Sequence, residues 1–453
     1  MSNFRSVDRG TAYLLPPSVD EWLPADHLAR FVVEIVEQLD FSALTAQYRG
    51  SGSEAYHPQM LAALMLYGYA TGTYSSRKIE QACYDSIAFR YIAANTHPDH
   101  DTLCAFRRRF LPELQKLFVQ VLFIAWQMKL LKLGTIALDG TKMHANASRH
   151  NALSHGRASQ MEERLKQEVA ELLRRAESTD KAEEKQPLDI PAELSLRETR
   201  LQAIAEAKAE IERRAAERLA REQAEYEAKL AAREKKAKDS GKRPGGKPPA
   251  PPTGGVQAKD QVNLTDPESR IMPRSGGGGF DQSYNAQAAV DTETMLIVAT
   301  RLVDTPADAR QLVPMLEELA QLPQQLGRAE RLLGDAGFFS AANVEHCERV
   351  QIEALLARRR DQHYMPWYER VGEPAPLPAC ANATERMLHR LKTPEGRALY
   401  GLRKQTVEPV FGIIKHAMRF RQFLLRGKAK VTGEWQLVSL AYNLKRLHGL
   451  APA

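Results

Sequence analysis

The composition of the chain changes sharply between about residues 157 and 238, and this change constrains the fold most. The segment is rich in Ala, Glu, Lys, Arg and Leu, and Pro187 and Pro191 separate two apolar stripes at helical spacing. We therefore predict two long helices that form an antiparallel hairpin or a coiled-coil arm. Lys208 and Glu222 interrupt the apolar seam, which predicts weak pairing. The stripes contain Met161, Leu165, Val169 and Leu172 in the first half, and Leu201, Ile204, Ile211, Ala215, Leu219 and Leu230 in the second.

Residues 238–255, directly after this segment, are rich in Pro, Gly and Lys. That composition predicts a disordered linker. We therefore interpret residues 151–255 as an insertion that consists of the helical arm and the linker. Because the charges of the arm are mixed, three roles stay open: dimerisation, a clamp on a partner, or a tolerated insertion.

The remaining composition indicates a protein of the reducing cytosol. A chain of 453 residues exceeds one ordinary core and predicts two or three domains. Its four cysteines are scattered without metal-ligand spacing, and we find neither an apolar run that could span a membrane nor a secretory signal. The net charge of +7 is modest, so the location of the basic residues matters more than their number.

The N-terminal part, residues 1–128, predicts a helical domain. Apolar residues recur at helical spacing, Pro58 suits a first helical turn, and Ser75 and Ser76 are candidate N-caps. Arg107, with Arg108 and Arg109, forms a basic cluster. This cluster is either the solvated face of a packing domain or a contact to DNA.

The rest of the chain, residues 129–150 and 256–450, alternates between strands and helices. Such a pattern predicts a mixed sheet flanked by helices, of the α+β or α/β class. The predicted strands are 134–147, 284–291, 295–303, 330–339 and 352–357. The predicted helices are 308–322, a short helix that begins at 341, 384–396, 404–424 and 432–448. Residues 362–383 are Pro-rich, which predicts an irregular segment.

Three acidic residues are candidates for chemistry. Asp139 and Asp335 each follow an apolar strand and have glycine beside them, which lets a ligand approach the backbone, although a single Asp-Gly after a strand usually forms a turn. Glu408 is one of two acids among 12 Lys and Arg residues between positions 386 and 430. Pro409 suits a first helical turn and predicts that Glu408 lies near a helix N-terminus; otherwise Glu408 is a surface residue.

The segment around Glu408 resembles the Tyr-Arg-Glu-Lys signature of one group of DDE transposases from bacterial insertion sequences. The matching residues are Tyr400, Arg403, Glu408 and Lys415. Four residues rather than three separate Arg403 from Glu408, so Lys404 is an alternative to Arg403. Three further segments resemble the same family: residues 56–92, NLTDPESRIMP (263–273) and SYNAQAAVD (283–291).

The resemblance implies a ribonuclease-H-like catalytic core in which Asp139, Asp335 and Glu408 are the catalytic triad. Three carboxylates that converge repel one another, so they stay ionised when cations neutralise them; oxygen ligands suit Mg²⁺ or Mn²⁺, and two such ions support in-line phosphoryl transfer. The resemblance also implies contacts to DNA. The candidate DNA-binding residues are Tyr400, Arg403, Lys415, Arg419 and Arg421; Tyr400 is equally well explained as a core residue.

By this resemblance, the chain is expected to cut the ends of its element and to join the freed 3′-OH to target DNA. The expected partners are double-stranded DNA and a second copy of the chain on that DNA, in the bacterial cytoplasm and without a membrane. Two alternatives remain open: a hydrolytic nuclease of the same fold, and a catalytically silent DNA-binding protein.

Overall fold

The computed structural model describes residues 18–48, 55–179, 189–240, 245–274, 277–358, 372, 374–378 and 380–451. They form two compact units, Met1–Met143 with Asn285–Ala453, and His144–Tyr284. No helix within the described ranges is long and apolar enough to cross a membrane. The first unit contains both the predicted helical domain and most of the predicted catalytic domain, so the three-domain division stays a prediction.

The first unit is built on a mixed sheet. Its strands are β1 (Leu133–His144), β5 (Phe280–Asp291), β6 (Ile297–Val303), β7 (Gly327–Gly334) and β8 (Glu353–Leu356), in the spatial order β6-β5-β1-β7-β8. β7 and β8 run parallel to β1, whereas β6 is antiparallel to β5. This order and these directions are those of a ribonuclease-H-like sheet, which confirms the predicted fold class.

The β5–β6 hairpin has the local sequence that a tight connection needs. The Asp291 carboxylate accepts hydrogen bonds from the backbone N–H and the hydroxyl of Thr294, at 2.8 and 2.7 Å. Met295 then adopts a left-handed conformation with φ of 62°. The predicted strands and the predicted turn at residues 292–294 are therefore confirmed.

Helices α1 to α7 precede the sheet in the described part of the chain. Their bounds are α1 (Leu28–Glu37), α2 (Ser42–Thr45), α3 (Pro58–Thr71), α4 (Ser76–Asp85), α5 (Ile87–Ile92), α6 (His100–Phe110) and α7 (Leu114–Gln127). As predicted, Pro58 stands in the first turn of α3, and Gly72 ends that helix with φ of 87°. Helix α3 is buried on nearly all sides and packs against the last helix of the chain, Lys428–Leu450.

A buried hydrogen-bond network joins α3 to this last helix. Glu434 is fully buried, and its carboxylate accepts from the Tyr69 hydroxyl at 3.0 Å and from the backbone N–H groups of Leu424 and Leu425 at 2.9 and 3.0 Å. Burial raises the pKa of the Glu434 carboxyl. The network therefore fixes the loop before the last helix to the N-terminal helices.

Helices also cover the sheet after β6. They are α10 (Leu312–Ala320), α11 (Ala341–Arg349), α12 (Ala383–Arg390), α13 (Pro394–Gly412), a π-helical turn (Ile413–Ala417) and α14 (Lys428–Leu450). Much of the predicted irregular segment 362–383 lies outside the described residues.

The predicted helix 404–424 has the wrong bounds. Thr393 caps α13 and Pro394 begins it, so Pro409 lies inside the helix and Glu408 is far from the helix N-terminus. An internal proline removes one backbone hydrogen bond, and the π-helical turn Ile413–Ala417 follows within a few residues. The buried side chains of Val407 and Val410 hold α13 in place across this irregularity.

The second unit contains the predicted helical arm. Helix α8 (His155–Thr179) packs against the 51-residue helix α9 (Ile190–Ser240). Lys208 pairs with Glu162 at 2.7 Å and Arg197 with Glu168 at 3.0 Å, so residue numbers rise along α8 as they fall along α9. The helices are therefore antiparallel. Lys208, which was expected to weaken the seam, forms an ion pair across it.

The short strands β2 (Ala152–Ser154) and β3 (Gln261–Asn263) pair at the base of these helices, and β4 (Arg270–Pro273) pairs with the first residues of β5. Residues 245–255 of the predicted linker form neither helix nor strand. They contact α9, where Arg233 donates a hydrogen bond to the Gly246 carbonyl at 2.8 Å.

Candidate active site

Asp139 lies within β1 and not at its end. The apolar run stops at Leu138, but the strand continues through Gly140 to His144, so the turn reading of Asp-Gly is wrong here. Leu138 is paired with Gly334 on the parallel strand β7. Asp139 comes directly after this pair on β1, and Asp335 is the first residue after the end of β7. The two carboxylates are close enough for the charge of Asp335 to raise the pKa of Asp139.

The environment of Asp139 favours its protonated form. The side chain is 19% exposed. The pKa of Asp139 rises from the ordinary value near 3.8 to about 7, mainly because of burial. The charges of Asp335 and Asp308 also raise this pKa. The hydrogen bond from the Gly140 backbone N–H and the charge of Arg403 lower it. The site thus concentrates negative charge where water is largely excluded.

Arg403 connects Asp139 with Glu408. Its guanidinium lies 3.6 Å from Asp139 Oδ2 and 3.3 Å from Glu408 Oε1. The Arg403 side chain is 9% exposed, whereas Glu408 is 52% exposed. Lys404 is exposed, so Arg403 and not Lys404 is the residue that reaches Asp139 and Glu408. The guanidinium also lies 5.9 Å from the centre of the Tyr400 ring, at cation–π distance.

Lys415 ties the π-helical turn to β1. Its Nζ donates hydrogen bonds to Thr141 Oγ1 at 2.5 Å and to the Lys142 carbonyl at 3.1 Å. Burial lowers the pKa of Lys415, and the charge of Asp139 opposes this change. The ammonium group therefore lies close enough to Asp139 for the two charges to interact.

Arg419 and Arg421 lie on the loop after the π-helical turn, and both are exposed. Arg421 Nε donates to the Lys415 carbonyl at 3.1 Å, so this side chain stabilises the end of the turn. Arg419 has a left-handed backbone with φ of 61°, which is uncommon for a residue with a side chain. Neither arginine has a described ion pair with the acids.

Asp308 is a fourth carboxylate near the site, and it was missed in the sequence. Its Oδ1 accepts hydrogen bonds from Asn285 Nδ2 at 2.8 Å and from Gln287 Nε2 at 2.6 Å. The signal was present in the segment SYNAQAAVD, where two amides at alternate positions of a buried strand share one face. Asp308 had been assigned only to the start of a helix.

The donor set fits a hard divalent cation, because carboxylate oxygens predominate and one buried guanidinium is their main counter-charge. Among the described residues, no group of three or more His, Cys, Asp or Glu side chains is close enough to hold a metal ion. Arg403 lies between Asp139 and Glu408 in this structure. The structure thus places Asp335 close enough to Asp139 for its charge to raise the pKa of that carboxyl, and it links Glu408 to Asp139 through Arg403.

Comparison with known proteins gives two matches. A family model described as a transposase domain (DUF772) matches residues 17–109, and one described as a transposase DDE domain matches residues 377–448. The second match contains Glu408 and all five candidate DNA-binding residues, whereas Asp139 and Asp335 lie outside both matches. No curated protein and no solved structure matches the chain. A match to a transposase domain at one end and to a transposase DDE domain at the other, with a mixed α/β sheet between them, supports a DDE-type transposase.

Proposed function

We propose that this transposase cuts the ends of an insertion sequence and joins the freed 3′-OH to target DNA, with Asp139, Asp335 and Glu408 as its catalytic acids. The observation that supports the proposal best is the register of β1 and β7, in which Leu138 pairs with Gly334 directly before Asp139 and Asp335. The Arg403 guanidinium, which contacts both Asp139 and Glu408, supports the inclusion of Glu408. The raised pKa of Asp139 supports the proposal as well, because clustered carboxylates that lack sufficient counter-charge are typical of metal-dependent sites.

The three acids would hold Mg²⁺ or Mn²⁺, and two such ions, when bound, activate the attacking oxygen and stabilise the leaving 3′ oxygen. Arg403 neutralises Asp139 and Glu408 and holds the Glu408 side chain near β1. Because Arg403 is buried between the acids, we assign it a positioning role in preference to the phosphate contact first expected. Tyr400 supports the Arg403 guanidinium from one side.

Lys415, Arg419 and Arg421 provide the positive charge that a DNA backbone requires. Lys415 lies next to the acids, whereas Arg419 and Arg421 extend from the following loop. Contacts to phosphates would set the position of the DNA and not its sequence preference. If about 6 to 10 such contacts form, affinity should fall roughly 10³- to 10⁵-fold between 50 and 200 mM salt.

The experiment uses the full chain and a plasmid that carries its reading frame with the flanking DNA. In Mg²⁺ or Mn²⁺, we expect cleavage at the element ends and covalent joining of those ends to a second DNA. Cleavage without joining would favour the hydrolytic nuclease, and binding without cleavage would favour the catalytically silent protein.

Asp139→Asn and Asp304→Asn form a matched pair for this experiment. Asp304 pairs with Lys428 at 3.2 Å and takes no part in the acidic site. We expect Asp139→Asn to abolish cleavage and joining but to retain DNA binding, whereas Asp304→Asn keeps all three. Cleavage by Asp139→Asn at the wild-type rate would show that the triad is misassigned.

We further propose that the protein acts as a homodimer on DNA in the bacterial cytoplasm, at the nucleoid. Bringing two element ends together requires protein–protein contacts, and the antiparallel helices α8 and α9 offer a long surface for them. Sedimentation of the protein with and without end DNA tests this point: a monomer in both samples would contradict it.

A further inference from the structure

Asp308 has no role in the mechanism above, although it lies beside the acids. Two side-chain amides, from Asn285 and Gln287, donate to one of its carboxylate oxygens, Oδ1. Asn285 is 2% exposed and Gln287 is fully buried. Two donors on one oxygen fix the orientation of the carboxylate, and the other oxygen, Oδ2, faces Gly337.

Two glycines leave space around this carboxylate. A methyl group added to Gly337 would lie 2.9 Å from Asp335 Oδ1 and 3.2 Å from Asp308 Oδ2, so both oxygens lie beside this exposed glycine. Asp335 Oδ1 also accepts a hydrogen bond from the Gly337 backbone N–H at 2.8 Å. A methyl group added to Gly140 would lie 2.1 Å from Gln287 Nε2. Gly140 therefore lets the amides of β5 reach the strand that carries Asp139.

Gln287 supplies an independent sign of a ligand. Its carbonyl oxygen Oε1 is buried and has no hydrogen-bond partner in the described part of the chain. Buried polar atoms are nearly always paired in native structures, because an unpaired one loses its hydrogen bonds to water without a replacement. The same amide donates to Asp308 Oδ1, so this unpaired acceptor lies beside the Asp308 carboxylate. Carbonyl oxygens and the water molecules they bind are typical neighbours of Mg²⁺.

We propose that Asp308 is a fourth acidic residue of the site and binds a divalent cation together with Asp335. The amides of Asn285 and Gln287 hold Asp308 for this purpose, and Gly337 keeps the space between the two carboxylates open. This inference rests on the proposed function, since it assumes that a divalent cation binds at the acids.

The test is Mn²⁺ binding to the full-length protein without DNA, measured from the loss of the free Mn²⁺ signal in electron paramagnetic resonance. Asp308→Asn keeps an oxygen that can accept from the amides but removes the charge, so we expect it to fold. Its Mn²⁺ affinity should fall on the order of 10- to 100-fold. Asp304→Asn, the matched control, should bind Mn²⁺ like the wild type. Urea denaturation in EDTA checks that both variants are folded.

Wild-type Mn²⁺ affinity in folded Asp308→Asn would overturn the inference. If Asp139→Asn and Asp335→Asn lose Mn²⁺ in that experiment, the proposed function survives. If the wild type itself binds no Mn²⁺, both the inference and the metal-dependent function fail.

Gly337→Ala addresses the same point if Asp308→Asn does not fold. This variant keeps both carboxylates and fills the space between them, so we expect a loss of at least about tenfold in Mn²⁺ affinity. Unchanged affinity in the Gly337→Ala protein would count against a cation at this position.

Discussion

Replacing Asp139 with Asn should stabilise the metal-free protein increasingly as the pH rises. The folded carboxyl has a pKa of about 7, raised from about 3.8. Between these values the folded state binds more protons than the unfolded state, so the wild type loses stability as the pH rises toward 7. Asn carries no charge in either state and avoids this loss.

The expected size follows from the same two values. From pH 5 to pH 7 the unfolded carboxyl is already ionised while the folded one still holds its proton, so the free energy of unfolding falls by about 1.4 kcal/mol for each pH unit. Above pH 7 the folded carboxyl is ionised as well, and the dependence becomes flat. The stability of Asp139→Asn relative to the wild type should therefore grow by about 2–3 kcal/mol between pH 5 and pH 8.

The assay is urea denaturation in EDTA at constant ionic strength, followed by tryptophan fluorescence. Trp22, Trp126 and Trp435 belong to the unit that contains the acids, so their fluorescence reports on that unit. Asp304→Asn serves as the control, because that carboxylate is more exposed and pairs with Lys428. A difference between Asp139→Asn and the wild type that stays constant from pH 5 to pH 8 would refute the reasoning.

Three further variants test the contacts around the site. Arg403→Ala should lower the free energy of unfolding at pH 8 by about 3 kcal/mol in urea denaturation, because it leaves carboxylates without their buried counter-charge. Tyr69→Phe should cost about 1–3 kcal/mol in thermal denaturation, because the buried carboxylate of Glu434 loses a donor. Arg421→Gln should reduce the slope of log affinity against log salt by about 1 in DNA-binding titrations, if this exposed side chain contacts a phosphate.

Each of these variants has a control in the same chain. Lys404→Ala removes an exposed side chain next to Arg403 and should change the free energy of unfolding by less than about 0.5 kcal/mol. Tyr84→Phe removes a hydroxyl from a tyrosine that is 53% exposed, and it should be neutral. Arg213→Gln alters an arginine that already pairs with two glutamates of its own helix, and it should leave the salt slope unchanged. Equal effects in a variant and its control would contradict the corresponding contact.

The sheet was predictable because its strands carry strong local signals. Short apolar runs bounded by Gly, Asp and Thr fixed β5, β6, β7 and β8 to within a few residues. Asp139 and Asp335 could also be identified as candidates from the sequence, since both follow apolar runs. Their proximity could not be predicted, because the register of β1 against β7 depends on how strands that are distant in sequence align.

Helix α13 shows why local signals are not sufficient. Pro409 looks like a first-turn residue, but Thr393 and Pro394 provide a better start. The choice between them is made by tertiary packing, which buries the side chains of Val407 and Val410. The same burial brings Arg403 to the acids, a contact that spacing alone left open between Arg403 and Lys404.

Asp308 was missed for a different reason. A carboxylate at the start of a predicted helix has an ordinary explanation as a cap, and nothing in its own segment points elsewhere. Its place in the site depends on two amides from β5, which are separated from it by about 20 residues. Side-chain networks of this kind link several elements at once, so the pattern of any one element does not reveal them.

The helical insertion leaves the sheet at β1 and returns at β5, and these two strands are neighbours. Close to the junction, the backbone N–H of Ala145 donates to the carbonyl of Gln282 at 2.9 Å. The two ends of the insertion are therefore held together locally, so the length of the chain between them does not affect the pairing of β1 with β5. During evolution, the length and the binding partners of the arm can therefore change while the geometry of the acidic site on the sheet is preserved.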